Sequence, residues 1–319
     1  MLLRPRVFLP VVLTAALLAF ALGITDAGQV MGRIRRLTPA TLLVCLGLAG
    51  GYLLVKALQF HLLLGRLNIR VDWRALLLAF SIGEMTLMVP SGIYVQNYVL
   101  RRVRGAGFAH SSAATTVMLA VEAMVVVLAL LLFGVPGWYW LRPALLAACL
   151  GGGVLLVLVS RRSGSPLLAR MRRGRLRPLA EALTHFLGGM RALNRPAVLL
   201  PSLLLGVVYL GALVGVYLLV ARDVGVGGLT FVEASSIYGF SLAVTLVLGG
   251  VLTQLGVVEV AGLGAAHAWG YGLTESLAML LGFRIVWMAA IWSICVPVAW
   301  LLRKEFQRLP GHRPDEPAH

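Results

Sequence analysis

Acidic side chains are scarce: 12 Asp and Glu stand among 319 residues, against 28 Lys and Arg. Charged residues of both signs make up 13% of the chain, where a soluble domain carries about a quarter. So little charge cannot cover a soluble fold of this length, and disorder or nucleic-acid binding through a soluble domain is excluded with it. Lysine is nearly missing, Lys56 and Lys304 being the two. The chain has no GxxxxGK[ST] loop, no HExxH, no GxSxG and no zinc-spaced Cys/His cluster. An ATP-driven pump built on this chain alone is therefore excluded, and neither cofactor nor metal is expected. Cys45, Cys149 and Cys295 lie far apart in apolar runs and form neither a disulfide framework nor a metal motif.

What the chain has in quantity is apolar sequence. Hydrophobic residues are 60% of it, mean hydropathy is +0.91, and the net charge of +16 comes from cations clustered between apolar runs. That pattern predicts a polytopic membrane protein whose basic loops face anionic headgroups. Crossing the hydrocarbon takes about 17–25 residues, and the runs 7–24, 40–64, 112–133, 143–160, 197–221 and 276–302 qualify. The first could be a cleaved signal peptide, but with so many runs behind it an uncleaved helix is expected. Two more apolar stretches are interrupted. Stretch 74–100 contains Glu84, Pro90-Ser91-Gly92 and Asn97; stretch 233–269 contains Gly249-Gly250, Gln254, Gly256 and Glu259. Each is expected to be a re-entrant pair of short helices with a polar break. The expected fold class is all-α, with six full spans and two broken helical hairpins in inverted repeats.

Charge tests the layout. With a cytoplasmic N-terminus and both hairpins returning to their side of origin, 21 Lys and Arg fall on the cytoplasmic side and five outside, Lys56 and Arg284 lying within spans. Both termini are then cytoplasmic, in the cytoplasmic (inner) membrane. Arg33, Arg35 and Arg36 disagree by clustering outside, and a short interfacial helix is expected there. Residues 1–302 form a single membrane domain, with repeat one at about 40–133, repeat two at about 197–302, and a cytoplasmic tail at 303–319. Between the repeats, 161–196 is basic and then carries Leu179, Leu183, Phe186, Met190 and Leu193 at helical spacing, predicting an amphipathic interfacial helix or else a solvated linker. Gly47/Gly51 and Gly211/Gly215 are GxxxG pairs expected to pack helices closely.

The two halves match weakly at an offset of 160–164 residues: Phe80-Ser81 falls on Phe240-Ser241, and Asn97 on Glu259. The next span carries Glu122 in one half and Arg284 in the other. Ionisable groups within spans cost at least about 2.5–3.5 kcal/mol each and call for a partner or a job. Glu259 and Arg284 are placed to meet, either as a gated pair that frees Arg284 to hold a lipid phosphate or as a permanent structural ion pair. Glu84 and Glu122 could bind a proton, a cation or a headgroup amine, or be core carboxyls hydrogen-bonded to Ser81, Thr86 or Thr116. Asn97 and Gln254 could contact cargo or cap broken backbone. Arg101, Arg102 and Arg104 should meet phosphates, as anchors or as guides for anionic lipid. Lys56 is expected to snorkel, and His61 and His267 to be satisfied core residues.

Several stretches carry a family resemblance: Lys56-Ala57-Leu58-Gln59-Phe60-His61-Leu62-Leu63-Leu64, Pro90-Ser91-Gly92 with Asn97 and Arg101, Gln254-Leu255-Gly256-Val257-Val258-Glu259, and Phe283-Arg284. In these the chain resembles the integral-membrane, flippase-like domain family of lysylphosphatidylglycerol synthases. It differs in lacking an acid in the first hairpin motif, where Asn97 stands nearby, and in having Glu122-Ala123 and Gln59-Phe60 where the family has Glu-Arg and Arg-Trp. The resemblance implies a stand-alone membrane domain that translocates lipid and is not itself a synthase. The expected substrate contacts are Glu84, Asn97, Arg101, Glu122, Gln254, Glu259 and Arg284, and the expected partners are membrane lipids with anionic headgroups. A homodimer and a lipid-biosynthesis enzyme are the protein partners this leaves open. The alternative function is a membrane-embedded accessory or enzyme of phospholipid, hopanoid or isoprenoid-linked lipid synthesis.

Overall fold

A computed structural model describes residues 16, 19, 23, 25–86, 92–147, 151, 177–248 and 254–307, and no strand occurs among them. The helices are α1 (Ala27–Ile34), α2 (Pro39–Arg66), α3 (Trp73–Met85), α4 (Val95–Arg104, entered through a 3-10 turn at Gly92–Tyr94), α5 (Phe108–Phe133), α6 (Arg177–Leu193), α7 (Pro196–Asp223), α8 (Phe231–Leu248), α9 (Gln254–Ala268) and α10 (Leu273–Gln307). Their starts follow from local chemistry. Asp26, Thr38 and Asp72 each accept the N–H of the residue three positions on, and Pro39 occupies the first turn of α2, where no N–H is needed.

Helices α2, α5, α7 and α10 are long and apolar enough to cross a membrane, and less than half of each apolar window is buried within the protein. Leu43, Leu54, Leu132, Leu204 and Leu301 point outward, as lipid-facing side chains do. These helices are the expected runs 40–64, 112–133, 197–221 and 276–302. The other two, 7–24 and 143–160, fall mostly outside the described residues, as do Pro90-Ser91, Gly249-Gly250 and the basic run before Arg177.

At the centre α2 and α7 lie antiparallel along their whole length. Gln59 donates to the Ser202 carbonyl at 3.2 Å, Tyr52 meets Tyr209 edge-on, Leu48 faces Gly215, and the Thr38 N–H donates to Asp223. Helices α3 and α4 pack together as one hairpin, with Arg104 salt-bridged to Asp72 across its base. Helices α8 and α9 form the other, and Tyr271 donates to Glu233 across its base at 3.0 Å. The first base lies beside the C-terminus of α2 and the second beside its N-terminus, so the hairpins reach in from opposite ends of the bundle. Packing outside the central pair corresponds too: α3 lies on α10 as α8 lies on α5, and α4 on α5 as α9 on α10.

Two expected helices form with details the sequence did not show, and one packing expectation needs correction. A short helix does form at the cluster: Arg33 lies on α1, Arg35 and Arg36 follow directly after it, and α1 packs on α10. Arg33 donates to the Val224 carbonyl at the end of α7 and pairs with Glu275 at 3.0 Å, so the C-terminal dipole and a carboxylate offset the misplaced charge. Helix α6 forms, but Leu179 and Leu183 are exposed, while Ala180, Leu187, Gly189 and Leu193 are its buried residues and Gly189 sits against Ala113 of α5. Gly47, Gly51 and Gly211 have open space where a Cβ would stand, and Gly215 alone of the four approaches another helix. The close approach lies at Gly262, where a Cβ would come within 2.5 Å of Leu280 and 2.8 Å of the Ser241 hydroxyl. Gly262→Ala should therefore push α9 off α8 and α10 and destabilise the fold by about 1–3 kcal/mol, read as a lowered melting temperature in detergent.

Candidate functional site

Two buried ionic groups sit inside this apolar bundle. In the first, Lys56 of α2 is 2% exposed and does not snorkel, contrary to expectation. Its Nζ donates to Glu122 of α5 at 3.2 Å and to the Tyr52 hydroxyl at 2.9 Å, and lies 5.0 Å from the ring centres of both Tyr52 and Tyr209. Lys56 stands in mid-helix facing α7, where reaching water would mean leaving two aromatic faces and a carboxylate. Tyr52 is one turn before Lys56, which is how one helix face supplies both the cation and its acceptor. The Tyr209 hydroxyl is buried with no hydrogen-bond partner among the described residues.

Glu84 stands near the end of α3, just before the break, buried, and within electrostatic reach of Lys56, Glu122 and Tyr52. None of the expected hydroxyls holds it. Thr86 donates to the carbonyls of Ile82, Gly83 and Gly92, Thr116 donates to Ser112, and Ser81 is hydrogen-bonded to Cys295. Glu84 has no hydrogen-bond partner among the described residues.

The second group lies at the other hairpin. Glu259 is fully buried, accepts from Arg284 Nε of α10 at 3.2 Å, and reaches back with its other oxygen to the Gly256 N–H at 2.6 Å. Gly256 takes φ +84°, a left-handed value that favours glycine, and the helix continues from there. Glu259 thus closes the restarted helix as the acidic arm of a capping box does, while neutralising an arginine from the next span. Phe283 and Trp287 flank Arg284 on α10 and carry ring contacts to Tyr238, Tyr217 and Tyr52. Tyr238, whose ring meets Phe283, is in electrostatic reach of Glu122, Arg284 and Lys56.

The remaining predicted residues divide. Asn97 is fully buried, and with Gln96 it bonds Thr115 of α5, at 2.8 and 2.9 Å; this fixes α4 to the bundle. Gln254 begins α9, its side chain lying outside the described residues. Arg101 is exposed on α4, as are Arg102, stacked against Tyr98, and Arg104. His267 is exposed rather than a core residue, and His61 stacks on Trp73 at 4.6 Å with Nδ1 unpartnered among the described residues. Sequence reasoning missed Lys56, Tyr52, Tyr209 and Tyr238. The available signal was tyrosine in mid-span, away from the headgroup belt where that residue usually lies. No three His, Cys, Asp or Glu side chains converge as a metal would need, among the described residues.

The base of the first hairpin has its own acid sensitivity. Burial opposes ionisation of Asp72, but hydrogen bonds from Arg104 and the Ala75 N–H outweigh it and hold the carboxyl below its usual value. Its contribution is therefore present above the unfolded carboxylate value and lost as pH falls through the lower folded one. Asp72→Ala should cost about 1 kcal/mol, mostly as a lost helix cap, because the exposed ion pair adds little. Melting curves against pH should show the deficit at neutral pH and its disappearance in acid.

Comparison with curated proteins and with solved structures gives no match. Residues 7–294 match the family described as Lysylphosphatidylglycerol synthase TM region, which spans both hairpins and all four long helices up to the last turns of α10. A multi-pass, all-helical membrane protein with this match along nearly its whole length belongs to that family.

Proposed function

We propose that the protein carries a lipid or other amphiphile across the cytoplasmic membrane, with both termini cytoplasmic, by passing its headgroup between the two hairpins. The observation that carries this reading is the pair of interrupted hairpins reaching in from opposite ends, each bringing a buried acidic side chain, Glu84 or Glu259, toward the charged groups of the bundle. A bundle needing only stability gains little from such groups, since replacing buried ion pairs by apolar residues is often neutral or stabilising. Broken helices that meet across a bilayer form a site each side can reach in turn. Arg284 suits a lipid phosphate, because guanidinium binds phosphate in two parallel hydrogen bonds, and Glu259 holds it in the absence of cargo. Arg101, Arg102 and Arg104 draw anionic headgroups to the base of the first hairpin. Tails stay in the bilayer, so the site has only a headgroup to accommodate.

The test is full-length protein in phosphatidylcholine–phosphatidylglycerol vesicles with a trace of fluorescent phosphatidylglycerol, assayed by bleaching the outer leaflet. Protein-dependent bleaching of inner-leaflet probe is the expected result. Bleaching equal to that of protein-free vesicles, for fluorescent phosphatidylglycerol, phosphatidylethanolamine and an isoprenoid phosphate alike, would overturn the proposal.

A further inference from the structure

We infer that Glu84 holds an exchangeable proton and that its loading and release couple lipid movement to the proton gradient. The coupling rests on the carrier reading above; the proton site stands apart from it.

The argument begins with charge. Glu84 and Glu122 face a single ammonium, that of Lys56, and all three side chains are buried. Glu259 and Arg284 cancel one another and leave this imbalance untouched. An unmatched carboxylate in a desolvated site is costly enough that it takes up a proton or a cation. Geometry selects which one. Glu122 is bonded to Lys56 directly, whereas Glu84 has no such bond among the described residues. Every titratable neighbour fits the assignment. From α2, Tyr52 and Lys56 face Glu84; from α5, Glu122; from α10, Cys295, which is already bonded to Ser81; and α4 presents the amide of Gln96 near Gly83. The Tyr52 hydroxyl accepts from Lys56, so its own proton is available to a neighbouring oxygen. The unpartnered Tyr209 hydroxyl is in reach of Glu122, Lys56 and Tyr52. Hydrogen bonds thus join Glu122, Lys56 and Tyr52, and Glu84 lies within electrostatic reach of all three, near the end of α3.

That position supplies the coupling. Protonated, Glu84 is neutral and the first hairpin stays packed against α10 without an excess charge. Deprotonated, it has released that proton and become a carboxylate, whose excess charge weakens the packing of α3 on α10. One proton is taken up and one released per cycle, with no other reactant.

Two readouts separate the site from the coupling. Infrared difference spectra of the full-length protein in phosphatidylcholine nanodiscs, titrated from acid to alkali, should show a protonated-carboxyl band. That band should vanish in Glu84→Gln, shift in Glu84→Asp, and in Glu122→Gln, where Lys56 faces Glu84 alone, move to more acidic pH. A band that survives in both Glu84 variants, or no band at all, overturns the proton site. In vesicles with fluorescent phosphatidylglycerol, an imposed pH gradient should accelerate wild-type flux and leave Glu84→Gln unchanged. Flux indifferent to pH, or driven by sodium instead, overturns the coupling while the carrier reading stands. A Glu84 band without flux keeps the proton site and sinks the carrier.

Discussion

Lys56→Met is expected to cost about 3–5 kcal/mol of stability, because it leaves Glu122 buried without its cation. The ammonium is held by a carboxylate, a hydroxyl and two tyrosine faces, and its side chain is 3% exposed. Water cannot replace those contacts. The Lys56→Met/Glu122→Gln double variant removes both charges and should recover most of the loss, since an apolar or neutral pair of similar volume restores the balance. Melting temperatures in detergent, compared across the single variants and the double, check this. Equal melting of wild type and Lys56→Met would mean that Lys56 is not desolvated in the membrane and that the central cluster is misassigned.

The same residue shows where sequence stopped being informative. The interruptions at Pro90-Ser91-Gly92 and around Gly256 were legible because helix-breaking residues inside an apolar run leave few alternatives to a hairpin. The Glu259–Arg284 pair was legible because a short connection joins their helices and each charge sits in mid-membrane sequence. Lys56 and Glu122 are 66 positions apart on helices that are apolar all round. On such a helix no stripe fixes which way a given side chain turns, so nothing local told Lys56 to face α7 rather than lipid. Helix α6 was legible as a helix, but which of its residues meet the bundle was not, for a related reason. Its apolar stripe divides, Leu179 and Leu183 staying exposed while Leu193 is buried, and the close approach to α5 is made at Gly189, against Ala113. The positive charge of Arg33 was unreadable because its partners, Val224 and Glu275, come from two distant helix ends.

At Glu259 and Arg284 the expected effects divide stability from transport. Arg284→Gln alone should cost about 3–5 kcal/mol, since it strands a fully buried carboxylate. Adding Glu259→Gln removes the stranded charge and keeps an acceptor for the Gly256 N–H, so the double variant should melt within about 1 kcal/mol of wild type. A permanent structural pair would then leave lipid flux intact, because the fold has been restored. A pair whose arginine passes to a lipid phosphate would not, since a neutral amide offers no bidentate cationic fork. We expect the folded double variant to lose flux of fluorescent phosphatidylglycerol down to the protein-free rate. The loss should be deeper for anionic than for zwitterionic probe, as phosphate charge is unmatched only in the former. Wild-type flux from the stable double variant would make the pair a structural tie and move the headgroup site to the Lys56 cluster.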